Sequence, residues 1–287
     1  MPTEMKIGAI PVLNMMDPFD PATPLNIVLW GKPGCGKTLL ASTATPPVLF
    51  IGFDPGGYLS LRDRPQCFVY DLSNEPPSVC ADMQKFNDDA RIFNFINQHK
   101  IRTLVFDSLT TYNWLALQYA VGKNARTTNS ISMETPSMTG YSQRNQVVHQ
   151  TMSAVLGLTM KLKLDTLILL HEAAQRTKQV PVQGQPGKFV EVDEDITPSV
   201  TENIMNSIGV RVGEIWHMTA IDSGHRRIEL RPVRGYAPMK TRMFAAQGNA
   251  CEFNVPFDAL TGKGDGISTW VEAWRTGGGR RLALPRS

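Results

Sequence analysis

The chain has 287 residues, 42% of them hydrophobic and 19% charged, enough for one large domain or two small ones with a sizeable buried core. A net charge of +3 permits a nucleic-acid partner without requiring one, so any basic surface has to be local. The four cysteines, Cys35, Cys67, Cys80 and Cys251, form no CxxC pair, which argues against a zinc site or a disulfide framework and for reduced thiols in a cytoplasm.

The start, "MPTEMKIGAIPVLNMMDPFDPATP", is proline-rich and aperiodic, and reads as an arm over residues 1–24 with no signal peptide. No run approaches the ~18 apolar residues of a membrane span. "NIVLW" is a short apolar run ending at Gly31 and suits a buried parallel strand. It leads into "GKPGCGKT", and "KTLLASTA" begins a helix inside that loop. "PVLFIGF" is the next strand, stopped by "DPGG"; "CADMQKFNDDARIFNFINQHK" has helical spacing; "TLVFD" is a third strand, and "TYNWLALQYAVG" a helix.

A patternless polar stretch from Lys123 predicts a long loop. A long helix over "YSQRNQVVHQTMSAVLGLTMKLK" and the apolar strand "TLILLHE" follow, then a second long loop from about Ala173 to Ser199. Beyond it, "RVGEIWHMTAID" and "HRRIELRPVR" alternate apolar and polar residues about a "DSGH" turn, as antiparallel strands do. The basic, glycine-rich end reads as a flexible tail over residues 275–287. Strands alternating with helices predict an α/β fold over residues 25–274: a P-loop domain with a mainly parallel sheet flanked by helices and an antiparallel C-terminal extension.

The spacing Gly31-x4-Gly36-Lys37-Thr38 fits the phosphate-loop pattern in full. Gly31, Gly34 and Gly36 let the backbone curl around phosphate oxygens. Lys32, Pro33, Cys35 and Leu39 complete the expected lining. Lys37 should reach the β- and γ-phosphates of ATP, and Thr38 should place its hydroxyl on Mg²⁺. Asp107, at the end of "TLVFD", is the expected carboxylate of the Mg²⁺ shell; Ser108 fits either a bond to that shell or a turn. Hydrolysis needs a group to orient or activate water. Asp54, Glu172 and His171 are the candidates, since ligands of open α/β sheets bind at the carboxyl ends of the strands.

The ordered set "GKPGCGKT … VLFIGFDPGG … TLVFDSLT … TLILLHE … MKTR" resembles the phage-type ATPases related to RecA and RadA, over roughly residues 25–257. The resemblance implies a RecA-like sheet in which "TLILLHE" lies between "NIVLW" and "TLVFD". It also implies ATP hydrolysis with Mg²⁺, assembly into rings or filaments with ATP at subunit interfaces, and single-stranded DNA as partner in annealing or recombination. A single-stranded-DNA-binding protein is a further implied partner, and the host cytoplasm the implied location. Asp54 falls where many RecA-like proteins carry a water-activating glutamate, and His171 where RecA has a glutamine that senses the γ-phosphate. Lys240 and Arg242 resemble the pair that reaches the neighbouring subunit's γ-phosphate.

Six Lys or Arg residues lie between Arg226 and Arg242, with Glu229 the only acid among them. Arg226, Arg227, Arg231 and Arg234 are therefore candidate DNA contacts. So are Arg126 in the first loop, and Arg176 and Lys178 in the second, with Arg144 and Tyr141 nearby. Two other readings stay open: a P-loop kinase for a nucleotide or small molecule, and a nucleotide-dependent assembly module with little turnover.

Overall fold

The computed structural model describes residues 5–7, 10–12, 20, 22–125, 137–181, 189–222, 225–231, 239–245, 251–255, 260 and 266–285. Six parallel strands form the centre of the main sheet: β3 (Asn26–Gly31), β4 (Val48–Gly52), β5 (Cys67–Asp71), β6 (Thr103–Asp107), the first part of β7 (Asp165–Pro181), and β9 (Glu214–Ala220). In space they run β9-β3-β7-β6-β4-β5, so "TLILLHE" does lie between "NIVLW" and "TLVFD". Strands β10 (Arg226–Glu229) and β11 (Glu252–Val255) extend the sheet antiparallel beyond β9. The expected α/β fold of a P-loop protein, with its antiparallel C-terminal side, is what the chain adopts.

Both faces of the central strands are buried, which is why they read as unbroken apolar runs. Val28, Trp30, Ile168 and Leu170 face one layer, formed by α2 (Val79–Met83), α3 (Ala90–Gln98), α4 (Leu109–Ala125), α5 (Met138–Leu162) and α6 (Glu202–Gly209). Ile27, Leu29, Leu167 and Leu169 face the other, formed by α1 (Lys37–Ala41) and α7 (Ile267–Thr276). Local chemistry sets the helix starts. Asp89 accepts from the Arg91 amide at 2.9 Å, and this cap breaks the "CADMQ…NQHK" run into separate helices. Ser137 caps α5 in the same way through the Gly140 amide.

Three expectations change. The second long loop is instead an antiparallel hairpin, β7 with β8 (Phe189–Pro198), carrying a register shift at Arg176. Its alternation of Val and Phe with polar residues is a strand pattern diluted by charge. The N-terminal arm contains two short paired strands, β1 (Met5–Ile7) and β2 (Ile10–Val12). The segment from Arg275 to residue 285 is not a flexible tail. Arg275 donates to both carboxylate oxygens of buried Asp165, and Leu282 bridges Phe244 in parallel. A buried carboxylate requires a partner, and Arg275 supplies it bidentately. Strands β5 and β11 and helices α6 and α7 have no counterpart in the sequence reading. The first loop's residues 126–136 lie outside the described residues.

Candidate nucleotide site

The phosphate loop joins β3 to α1 at the carboxyl edge of the sheet. Gly31 is there because β9 leaves no room: a Cβ would stand 2.1 Å from the Met218 carbonyl oxygen. Gly36 has φ 100°, which favours glycine. Helix α1 has only five residues, so its dipole is small and the positive charge of the cradle comes chiefly from Lys37. That lysine is 6% exposed. Its Nζ donates to the carbonyls of Gly31 and Lys32, each at 2.9 Å, which holds the ammonium at the mouth of the loop.

A cleft of about 470 Å³ opens over the loop. Among the residues lining it are Lys37, Thr38, Asp54, Asp107 and His171, drawn from the loop, the ends of β4 and β6, and the end of the parallel part of β7. Pro33, Gly34, Gly36 and Leu39 line it too. Cys35 instead packs below the loop, 1% exposed, where burial pushes its thiol pKa up. It fills space in the apolar layer with α1.

The Thr38 hydroxyl donates to Asp107 Oδ2 at 2.8 Å. Burial lifts the Asp107 carboxyl to about 6, against the pull of that hydrogen bond, and the nearby Asp54 charge raises it further. A desolvated carboxylate beside a hydroxyl is a hard-oxygen pair suited to Mg²⁺, which uses few protein ligands and completes its shell with phosphate and water. Thr38 and Asp107 would hold the ion, and the ion would supply charge neutralisation on the phosphates.

In the same cleft, Asp54 Oδ2 lies 3.3 Å from His171 Nε2. Asp54 Oδ1 accepts from the Ser108 hydroxyl at 3.2 Å and from the Thr111 hydroxyl. Burial would raise the Asp54 pKa, but the bonds from His171, Thr111 and Ser108 outweigh it and hold the carboxyl below its usual value. Asp54 is thus a fixed carboxylate, better placed to orient a water than to take its proton. The Thr110 hydroxyl accepts from the His171 amide at 2.9 Å and fixes β7 where its parallel pairing ends. The signal for this support was the hydroxyl run "DSLTT", of which only Ser108 drew notice in the sequence.

Glu172, the third candidate, is absent from the cleft lining. Its side chain is 6% exposed and its Oε2 lies 2.9 Å from His217 Nε2. His217 Nδ1 meets Glu229 Oε2 at 2.8 Å on the other side. Burial pulls the imidazole pKa down, but the two carboxylates outweigh it and raise it. Glu172 Oε1 also faces Lys32 Nζ at 3.7 Å. Glu172 therefore ties the loop to β9 and β10.

Lys240 and Arg242 do not line the chain's own cleft. The Lys240 ammonium donates to the Gly209 carbonyl, and its backbone pairs with Ile215. Arg242 is exposed and its guanidinium has no partner among the described residues. Of the candidate DNA contacts, Arg226 is engaged elsewhere: its Nε donates to the Cys35 carbonyl at 2.7 Å, bracing the phosphate loop. Arg227 pairs with Glu252 at 3.2 Å, and Arg231 is exposed. Arg176 and Lys178 sit on β7 in the hairpin, while Arg126 and Arg234 lie outside the described residues.

A family model for the AAA domain matches residues 23–237. The chain belongs to this family. AAA domains are nucleotide-binding P-loop ATPases that work with ATP and Mg²⁺, which agrees with the phosphate loop and the Thr38–Asp107 pair. A search of curated proteins returned no match. Among the described residues, no helix is long and apolar enough to cross a membrane.

Proposed function

We propose that this AAA-family chain hydrolyses ATP as a RecA-like assembly of several copies, a ring or filament, on single-stranded DNA in phage annealing or recombination. The observation that carries the hydrolytic half is that the Asp54–His171 pair and the Thr38–Asp107 pair line one cleft. A carboxylate kept ionised at that edge suits orientation of an attacking water. Among the described residues Lys37 is the only Lys or Arg lining the cleft, which leaves the developing charge to be met from a neighbouring copy, and the exposed Arg242 has that chemistry.

The DNA half draws support from a second cleft of about 370 Å³ between α4, α5 and the base of the hairpin. Arg144 lines it, 7% exposed, with Asn145 Oδ1 at 2.9 and 3.2 Å as its hydrogen-bond partner and the Tyr141 ring 5.1 Å away. Among the described residues no acid lines the cleft, and Trp114 stands 60% exposed at its side. A buried guanidinium without a carboxylate is costly unless an anion joins it, and aromatic rings beside it suit stacked bases.

Phosphate release from Mg²⁺–ATP, measured with and without single-stranded DNA at low salt, tests both halves. Stimulated release is expected; release without DNA binding would remove the DNA half alone, and transfer to an acceptor instead of water would indicate a kinase. The saturated hydrogen bonding of Asp54 favours a second reading, assembly with little turnover. Sedimentation that differs between ATP and ADP with negligible phosphate release would favour it.

A further inference from the structure

Glu214 opens β9 and is fully buried, and no cation pairs with it among the described residues. Its two oxygens gather four donors. Oε1 accepts from the backbone amides of Arg242 at 2.7 Å and Met243 at 2.9 Å. Oε2 accepts from the Thr241 hydroxyl at 2.6 Å and the Trp216 indole at 2.8 Å. Thr241 in turn accepts from the Phe244 amide at 3.1 Å. On the other side of the turn, Lys240 and Ile215 exchange backbone bonds of 2.8 and 3.0 Å. Every atom of this arrangement fixes the backbone on either side of Arg242, while the Arg242 side chain projects outward, exposed.

Burying a carboxylate with no cation is expensive, and neutral donors offset only part of the cost. An apolar side chain would hold β9 against the sheet more cheaply. A saturated carboxylate does something an apolar group cannot: it dictates the path of a three-residue turn to within hydrogen-bond tolerance. We propose that Glu214 is a positioning residue that presets the Thr241–Met243 turn so that Arg242 enters the phosphate cleft of a neighbouring copy. This rests on the reading of Arg242 as acting between copies.

Glu214→Gln keeps the shape but turns one acceptor oxygen into a donor group facing donors. Thr241→Val removes a single arm and leaves the rest. Both should bind ATP with unchanged affinity and KM, and kcat should fall about tenfold or more for Glu214→Gln, because misplacing a reacting group by a fraction of its reach is that costly. Mixing either with Lys37→Ala protein, whose own cleft is dead but whose Arg242 turn is intact, should restore turnover. If Arg242→Ala is impaired and rescued in such mixtures while Glu214→Gln and Thr241→Val turn over normally, the positioning role is wrong and the reading between copies stands. Normal turnover by Arg242→Ala overturns both. If Glu214→Gln does not fold, Thr241→Val decides; loss of stability or ATP affinity there, without rescue, means a merely structural role.

Discussion

Asp107 shows at the scale of one residue how a site can oppose stability. Its carboxyl titrates near 6 in the fold against an unfolded value near 4. A group raised in the fold binds its proton more tightly there, so stability is favoured at low pH and lost as pH rises through about 4 to 6. The loss totals about 3 kcal/mol above that window. Asp107→Asn, which can still accept from Thr38, should therefore be more stable than the parent at pH 7 without nucleotide, with the gap closing by pH 4. Thermal unfolding across that range, beside a Mg²⁺-dependent turnover assay that the variant should fail, checks this; equal pH dependence of the two proteins would contradict it. Lys37→Ala should lose tight ATP binding, and unchanged affinity in a titration would contradict the placement of its ammonium over the loop.

At the scale of elements, α4, α5 and the β7–β8 hairpin meet around Arg144. Arg144→Ala should weaken single-stranded DNA binding and flatten its dependence on log salt by about 0.7. Trp114→Ala should weaken binding by about 1–3 kcal/mol while leaving that slope alone. Anisotropy titrations at several salt concentrations separate the two; unchanged affinity in both would exclude the cleft as a DNA contact. These elements also mark what sequence carries. Strands β3, β4, β6 and β7 were legible because burial on both faces leaves uninterrupted Val, Ile, Leu and Phe. Strand β5, "CFVYD", was missed because it is an edge strand, buried only in part. The hairpin was missed because its charges hide a period of two. Within the site, the loop and Asp107 were legible from spacing. Asp54 and His171 were candidates from their places at the carboxyl ends of strands, but their contact with each other was not legible, and the roles of Arg226 and Glu214 were invisible, since each depends on which strand lies beside the phosphate loop.

At the scale of the whole molecule, the proposed function divides the catalytic parts between two regions. Among the described residues the cleft contains one Lys or Arg, Lys37, while Arg242 is exposed on the β9 side. Arg242→Ala should bind ATP and hydrolyse it poorly, and mixing it with Lys37→Ala protein should restore part of the turnover. Turnover in the mixture no higher than the sum of the separate proteins would count against shared sites. On that proposal, hydrolysis should depend on protein concentration and on whatever surface gathers the copies.

Trp30 lies in β3 immediately before its last residue, Gly31, and its ring stacks on His217 with centroids 4.0 Å apart. Excited indole transfers charge readily to a protonated imidazole, so this contact is a built-in fluorescence quencher set beside the phosphate loop. Glu172 and Glu229 raise the His217 pKa, so the quencher persists to higher pH than an ordinary imidazole would allow. Emission should brighten as the solution is made alkaline, and Trp30→Phe should abolish that change while leaving the solvent-exposed emission of Trp114. Nucleotide that shifts the loop should move the same signal, which would let loop closure be followed in real time without a label.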